Sequence, residues 1–181
     1  MSSPGGRPTA AWFKPMGYPV ADVTAFLRGT WVIERDIVDS RGGALGAFSG
    51  SAEFAAEFAP DGDLWSWVEA GELQWAAQTH SAPSTHSAPS THSAPSTHRA
   101  GRRLLVAVRP DVSCIVDVAF DDGRFFHSVD LSSGSDTFVH GCAPDTYYGS
   151  WTVVSPDRFR LTWDVDGPAK QITIGSTYSR A

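Results

Sequence analysis

The stretch that decides the reading runs Asp122-Gly123-Arg124-Phe125-Phe126-His127-Ser128-Val129-Asp130-Leu131, then Ser132-Ser133-Gly134-Ser135, then Asp136-Thr137-Phe138-Val139-His140-Gly141-Cys142. Two segments rich in aromatic and β-branched residues flank a short polar turn, which is the signature of a β-hairpin. With the loop at 132–135, Leu131 faces Asp136, Val129 faces Phe138, His127 faces His140 and Phe125 faces Cys142. Cross-strand partners point to the same side of a sheet. One face therefore carries Phe125, His127, Val129, Phe138, His140 and Cys142, and the other carries Arg124, Ser128, Asp130 and Thr137. The apolar face is expected to point inward. It would set two imidazoles side by side, with Cβ atoms ~4.5–5.5 Å apart. A slip of one residue would separate them.

The same two-residue rhythm extends in both directions. Trp31, Ile33, Arg35 and Ile37 alternate with Val32, Glu34, Asp36 and Val38. Further strands are expected near 46–58, 63–70, 72–79, 102–109, 112–120, 146–154, 158–165 and 170–179. Turn residues punctuate them, as in Arg41-Gly42-Gly43, Asp121-Asp122-Gly123 and Ser155-Pro156-Asp157. A short helix is expected over 19–28, with Pro19 at its first position, Asp22 near its positive end and Gly29 as its stop. Many short strands and one leading helix predict an all-β antiparallel barrel or sandwich. No alternation of strand and helix supports a Rossmann-type nucleotide fold, and no glycine-rich strand-to-helix motif cradles phosphate.

The chain of 181 residues suits a single domain over 19–181, preceded by a Pro- and Gly-rich leader over 1–18. A formal net charge of -6 argues against a nucleic-acid backbone as partner. No apolar run is long enough to cross a membrane as a helix. The two cysteines make no disulfide framework, so a reducing, cytoplasmic setting is expected. Oligomeric state is not readable. Ser-Ala-Pro-Ser-Thr-His occurs three times in tandem over 81–98, after Thr79-His80. It lacks large apolar residues and reads as a solvated insertion at 79–98. Its imidazoles, six residues apart, would be ~19 Å apart in polyproline-II geometry and could not share one metal ion without the loop folding back.

Alternation also places other side chains inside. Phe159, Leu161 and Val165 bring Trp163; Ile172, Ile174 and Tyr178 bring Lys170 and Arg180. The plainest reading of His127 and His140 is a pair of core histidines. The functional readings are ligand contacts, an acid–base pair, or a metal site with Cys142 or Asp145. Cys142 is not read as a nucleophile, because no third group orients it beside His140. A mostly apolar concavity with a few convergent polar groups is the usual form of a small-molecule site. The expected lining is Trp31, Arg35, Phe125, His127, Phe138, His140, Cys142, Trp163, Lys170 and Tyr178. Its positive groups favour a carboxylate, phenolate or enolate.

Gly29-Thr30-Trp31 resembles the Gly-x-Trp opening of lipocalins and other calycins, in which an Arg near the end of the last strand packs over that Trp. Arg180 is the matching residue. A wider likeness covers about 26–180. Phe26-Leu27-Arg28-Gly29-Thr30-Trp31, Ile33-Glu34-Arg35, Phe48-Ser49-Gly50, Asp122 to His127, His140 to Tyr147, Trp163 to Lys170 and Tyr178-Ser179-Arg180 resemble the domain-of-unknown-function family six-three-one-four. The resemblance implies a calycin-like (lipocalin-like) β-barrel and no particular reaction. Nitrobindin-type haem barrels share the Gly-x-Trp, but the Gly-x-Gly that follows it there is missing, so no haem ligation is carried over and no cofactor is expected. The expectation is a lipocalin-like barrel binding a small, largely apolar molecule. The alternative is an isomerase or cyclase with His127 and His140 as acid and base.

Overall fold

The computed structural model describes residues 17–57, 64–79, 92–109 and 111–181. One short helix, α1 (Val23–Leu27), precedes the strands β1 (Gly29–Asp39), β2 (Ala44–Ala56) and β3 (Leu64–Trp75). The two-residue strands β4 (Gln78–Thr79) and β5 (His92–Ser93) form a separate small ladder. Then follow β6 (Ser96–Arg109), β7 (Val112–Phe120), β8 (Phe125–Asp130), β9 (Ser135–Cys142), β10 (Asp145–Ser155), β11 (Arg158–Asp166) and β12 (Gln171–Arg180).

Ten strands make one antiparallel sheet in the order β8-β7-β6-β3-β2-β1-β12-β11-β10-β9. The first and last strands of the chain pair, with Trp31 opposite Arg180 and Ile33 opposite Tyr178. The sheet thus curls into a nearly closed all-β barrel, and its seam falls between β8 and β9. Alternation sets the wall: Trp31, Ile33 and Ile37 are buried on β1, as are Phe159, Leu161, Trp163 and Val165 on β11.

The helix is shorter than its sequence suggests. Tyr18 N–H donates to Val153 O and Val20 N–H to Leu131 O, which holds 17–20 extended. Asp22 then caps the helix, its Oδ1 accepting from Thr24 N and Ala25 N at 3.0 Å each. Val23, Phe26 and Leu27 close one end of the barrel.

Three further expectations are corrected. The segments 63–70 and 72–79 are mostly one strand, β3, which passes through Gly71 opposite Gly50 without a turn. The repeat does not lie wholly outside the sheet, since Ser96, Thr97 and His98 pair with Trp75, Gln74 and Leu73. The part of it at 80–91 lies outside the described residues. The third correction concerns β8 and β9, which share no ladder. Leu131 N–H donates to Cys114 O on β7, and Leu131 O accepts from Val20 and Gly134. With Leu131 engaged by β7 and by the N-terminal segment, the expected hairpin register cannot form. Gly134, at φ +76°, allows the close approach: a Cβ there would meet the backbone of Gly17 and Tyr18.

No helix among the described residues is long and apolar enough to cross a membrane.

Candidate functional site

Side chains rather than a ladder bridge the seam. Asp130 N–H donates to Asp136 Oδ2 at 2.8 Å, and His140 Nδ1 lies 3.1 Å from Phe126 O. These contacts set Phe126, not His127, across from His140. A β-bulge explains the change. Val118 pairs with His127, but the next pair is Ala119 with Phe125, so Phe126 is the extra residue. Phe125 is 62% exposed, while the partly buried Phe126 packs on the core.

The bulge inserts Phe126 between the two imidazoles. Its ring lies 4.8 Å from His127 and 4.7 Å from His140, and it stacks on Trp163 at 5.0 Å. His127 stacks on Phe138 at 4.0 Å, with ring planes 3° apart. Gly149 makes this possible, because a Cβ there would run into the Phe138 ring. His127 is buried, and neither ring nitrogen finds a partner among the described residues. Burial holds its pKa down at about 3, helped by the nearby positive charge of Arg102. It is a neutral aromatic wedge in a filled part of the barrel.

The open space lies elsewhere. A cavity of about 210 Å³ is lined by Arg35, Ile37, Phe48, Glu69, Leu73, Ala100, Gly101, Arg102, Trp163, Ile174 and Ser176. Its polar wall is built on Glu69, which is 2% exposed. Arg102 grips this carboxylate with two hydrogen bonds of 2.9 Å, from Nε and Nη2. Arg35 Nη2 donates to it at 2.8 Å and to Tyr178 Oη at 3.1 Å, and Arg35 Nε donates to Ser176 Oγ at 2.7 Å. Tyr178 Oη donates to Glu69 Oε1 at 2.5 Å. Burial alone would raise the Glu69 pKa. The charges of Arg102 and Arg35, with the hydrogen bonds from Arg102 and Tyr178, outweigh it and hold it at about 2. Burial, together with the adjacent carboxylate, pushes the Tyr178 phenol up, so it stays a neutral donor. The ionised groups on the wall are then two guanidinium cations and one carboxylate. None of the hydrogen bonds from Arg35 to Ser176, Glu69 and Tyr178 uses its Nη1, and Arg102 also interacts with Tyr178.

Of the residues singled out from sequence, Arg35 and Trp163 line this cavity, and Tyr178 holds its carboxylate. Trp31, fully buried, packs at the closed end, where its Nε1 donates to Leu27 O at 2.7 Å. His127, Phe138 and His140 make the aromatic seam. Phe125, Cys142 and Lys170 are exposed instead of inward-facing. Lys170 pairs with Asp145 Oδ2 at 2.7 Å and donates to Tyr147 Oη at 3.1 Å. Among the described residues no three His, Cys, Asp or Glu side chains converge as a metal site requires.

Glu69 and Arg102 were missed from sequence. Alternation could have found both: Trp67 and Glu69 share one face of β3, and Arg102 shares one with Leu104 and Val106.

Residues 27–180 match one sequence family. The chain belongs to the family of unknown function DUF6314. No curated protein matches it. Among solved structures this DUF6314 chain is similar to the S-type phycobiliprotein lyase CPES from Guillardia theta, at 9% identity and TM-score 0.56, over 91% of this chain and 93% of that one. It is also similar to a de novo designed fluorescence-activating β-barrel, at 13% identity and TM-score 0.39, over 90% of this chain and 100% of that one. A third is the designed barrel EF1p2_mFAP2b bound to DFHBI, at 12% identity and TM-score 0.39, over 89% of this chain and 98% of that one. At 9% identity the lyase shows the fold alone, an antiparallel β-barrel.

Proposed function

We propose that this barrel binds a small, largely apolar, anionic molecule in the cavity between Arg35, Arg102 and Trp163. One observation carries the reading. Two guanidinium groups face a single carboxylate beside an apolar wall of Ile37, Phe48, Leu73 and Ile174, next to a core rich in packed aromatic rings. Such an arrangement leaves one unit of positive charge at the edge of an apolar recess, where a ligand anion would meet reduced solvent screening. The volume is below the ~300 Å³ usual for drug-sized ligands, so the ligand is small or only its head enters.

Acid–base catalysis by His127 and His140 needs a substrate between the two rings, and Phe126 fills that place. Binding is the function the geometry favours.

Native mass spectrometry of protein purified from its own source tests the reading. The expected result is a non-covalent adduct of low mass, lost from Arg102→Met. Bare polypeptide in every charge state, with no binding from a panel of small apolar anions, would contradict it.

A further inference from the structure

We infer that the ligand class is a planar aromatic monocarboxylate of one or two fused rings, its carboxylate taken by the guanidinium groups of Arg35 and Arg102 and its ring set against Trp163. This rests on the binding function proposed above and narrows it in three respects.

Size comes first. An engineered apolar cavity of about 150 Å³ takes up benzene. The cavity here, at about 210 Å³, has room for such a ring with a carboxylate attached.

Charge comes second. Arg35, Arg102 and Glu69 sum to one positive charge, and Tyr178 is a neutral donor to Glu69. A monoanion completes the balance. A dianion would bring an uncompensated charge into a partly desolvated site, and a neutral amide would leave the guanidinium edges without a charged acceptor. Both guanidinium groups are pre-set. Arg102 is held by Glu69 and lies over the Trp67 ring at 5.1 Å. Arg35 is held by Glu69 and Ser176 and lies over Phe48 at 5.1 Å. Fixed guanidinium planes suit a flat carboxylate, because little side-chain freedom is lost on binding.

Shape is the third. Trp163 is 5% exposed and is clamped by Phe126, which stacks on it at 5.0 Å with planes 16° apart. A rigid indole and the neighbouring Phe48 reward offset or edge contacts with another ring more than they reward a flexible chain.

The test is isothermal calorimetry at pH 7 with benzoate, 2-naphthoate, benzamide, phthalate and octanoate on the wild-type protein, repeated on Arg102→Met. At least one of the two aromatic monocarboxylates is expected to bind roughly tenfold or more tighter than benzamide, phthalate and octanoate. Arg102→Met is expected to lose that preference over benzamide. The wild-type series decides the matter even if the variant does not fold. Benzamide equal to benzoate overturns the charge argument, and octanoate tighter than both aromatic acids overturns the shape argument. A co-purified molecule with no response to either aromatic acid overturns this ligand class while the binding function stands. No adduct and no response to any probe overturns both.

Discussion

The Arg180 guanidinium lies over the Trp31 ring at 4.1 Å and ties the last strand to the helix that closes the barrel. Its Nη1 donates to Arg28 O and its Nη2 to Phe26 O, each at 2.7 Å. Trp31 takes the intervening carbonyl of Leu27. Three carbonyls at the end of a short helix are thereby satisfied by two side chains from β1 and β12.

Arg180→Lys is expected to destabilise the fold by about 1–3 kcal/mol, because an ammonium cannot hold two diverging carbonyls while stacking on the indole. Urea denaturation at pH 7 measures this. A variant as stable as wild type would mean the clasp is incidental.

The buried imidazole predicts a specific acid sensitivity. His127 titrates near 6.5 when unfolded but is held at about 3 when folded. Between these values the unfolded state binds the extra proton, so stability is full above pH 6.5 and falls as pH drops toward 3. The slope is about 1.4 kcal/mol per pH unit from this group. Glu69, held at about 2, adds a loss that begins below its unfolded value of 4.5. Hence His127→Phe should flatten the stability curve between pH 6.5 and pH 4.5 and lessen, without abolishing, the fall below it, where Glu69 still contributes. Chemical denaturation at stepped pH checks this, and unchanged curves would assign the acid sensitivity to other groups.

The polar layer should show strong coupling. Glu69→Gln leaves two guanidinium groups without their buried counter-charge, and a cost of about 3–5 kcal/mol is expected. Arg102→Met alone should also cost stability, while the double variant should lose less than the sum. Additive losses in a double-mutant cycle would contradict the network.

Gly149→Ala probes the seam. Its new methyl would meet the Phe138 ring and drive it off His127. A loss of about 1–3 kcal/mol is expected, as for other overpacked cores. Near-UV circular dichroism should change as well; an unchanged spectrum and midpoint would show that the seam rings repack freely.

The wall of this barrel could be read from its residues because alternation is local. Trp31, Ile33, Arg35 and Tyr178 fell on the inner face, and the packing of Arg180 over Trp31 followed from the Gly-x-Trp resemblance. The seam could not be read. Its register depends on Leu131 bonding to Cys114 and Val20, both distant in the chain, and no hairpin rule contains such contacts. The tandem Phe125-Phe126 hid the bulge, since either ring could serve as the inward one. Helix length was overestimated because Val20 has good helical spacing but its N–H is held by Leu131. Glu69 and Arg102 were overlooked for a different reason. Both sit on apolar faces, where a lone charge looks like an exception until its partner is known.

The central claim is that the cavity between Arg35, Arg102 and Trp163 receives a small apolar anion. Nuclear magnetic resonance of the arginine Nε–H and tryptophan Nε1–H signals during titration with benzoate and octanoate tests it most directly. The expected result is saturable movement of the Arg35, Arg102 and Trp163 signals with at least one of the two, while Trp31 at the closed end stays still. Still signals at those three residues with both acids, or movement confined to outward-facing positions such as Phe125 and Tyr148 in the companion backbone spectrum, would contradict the account.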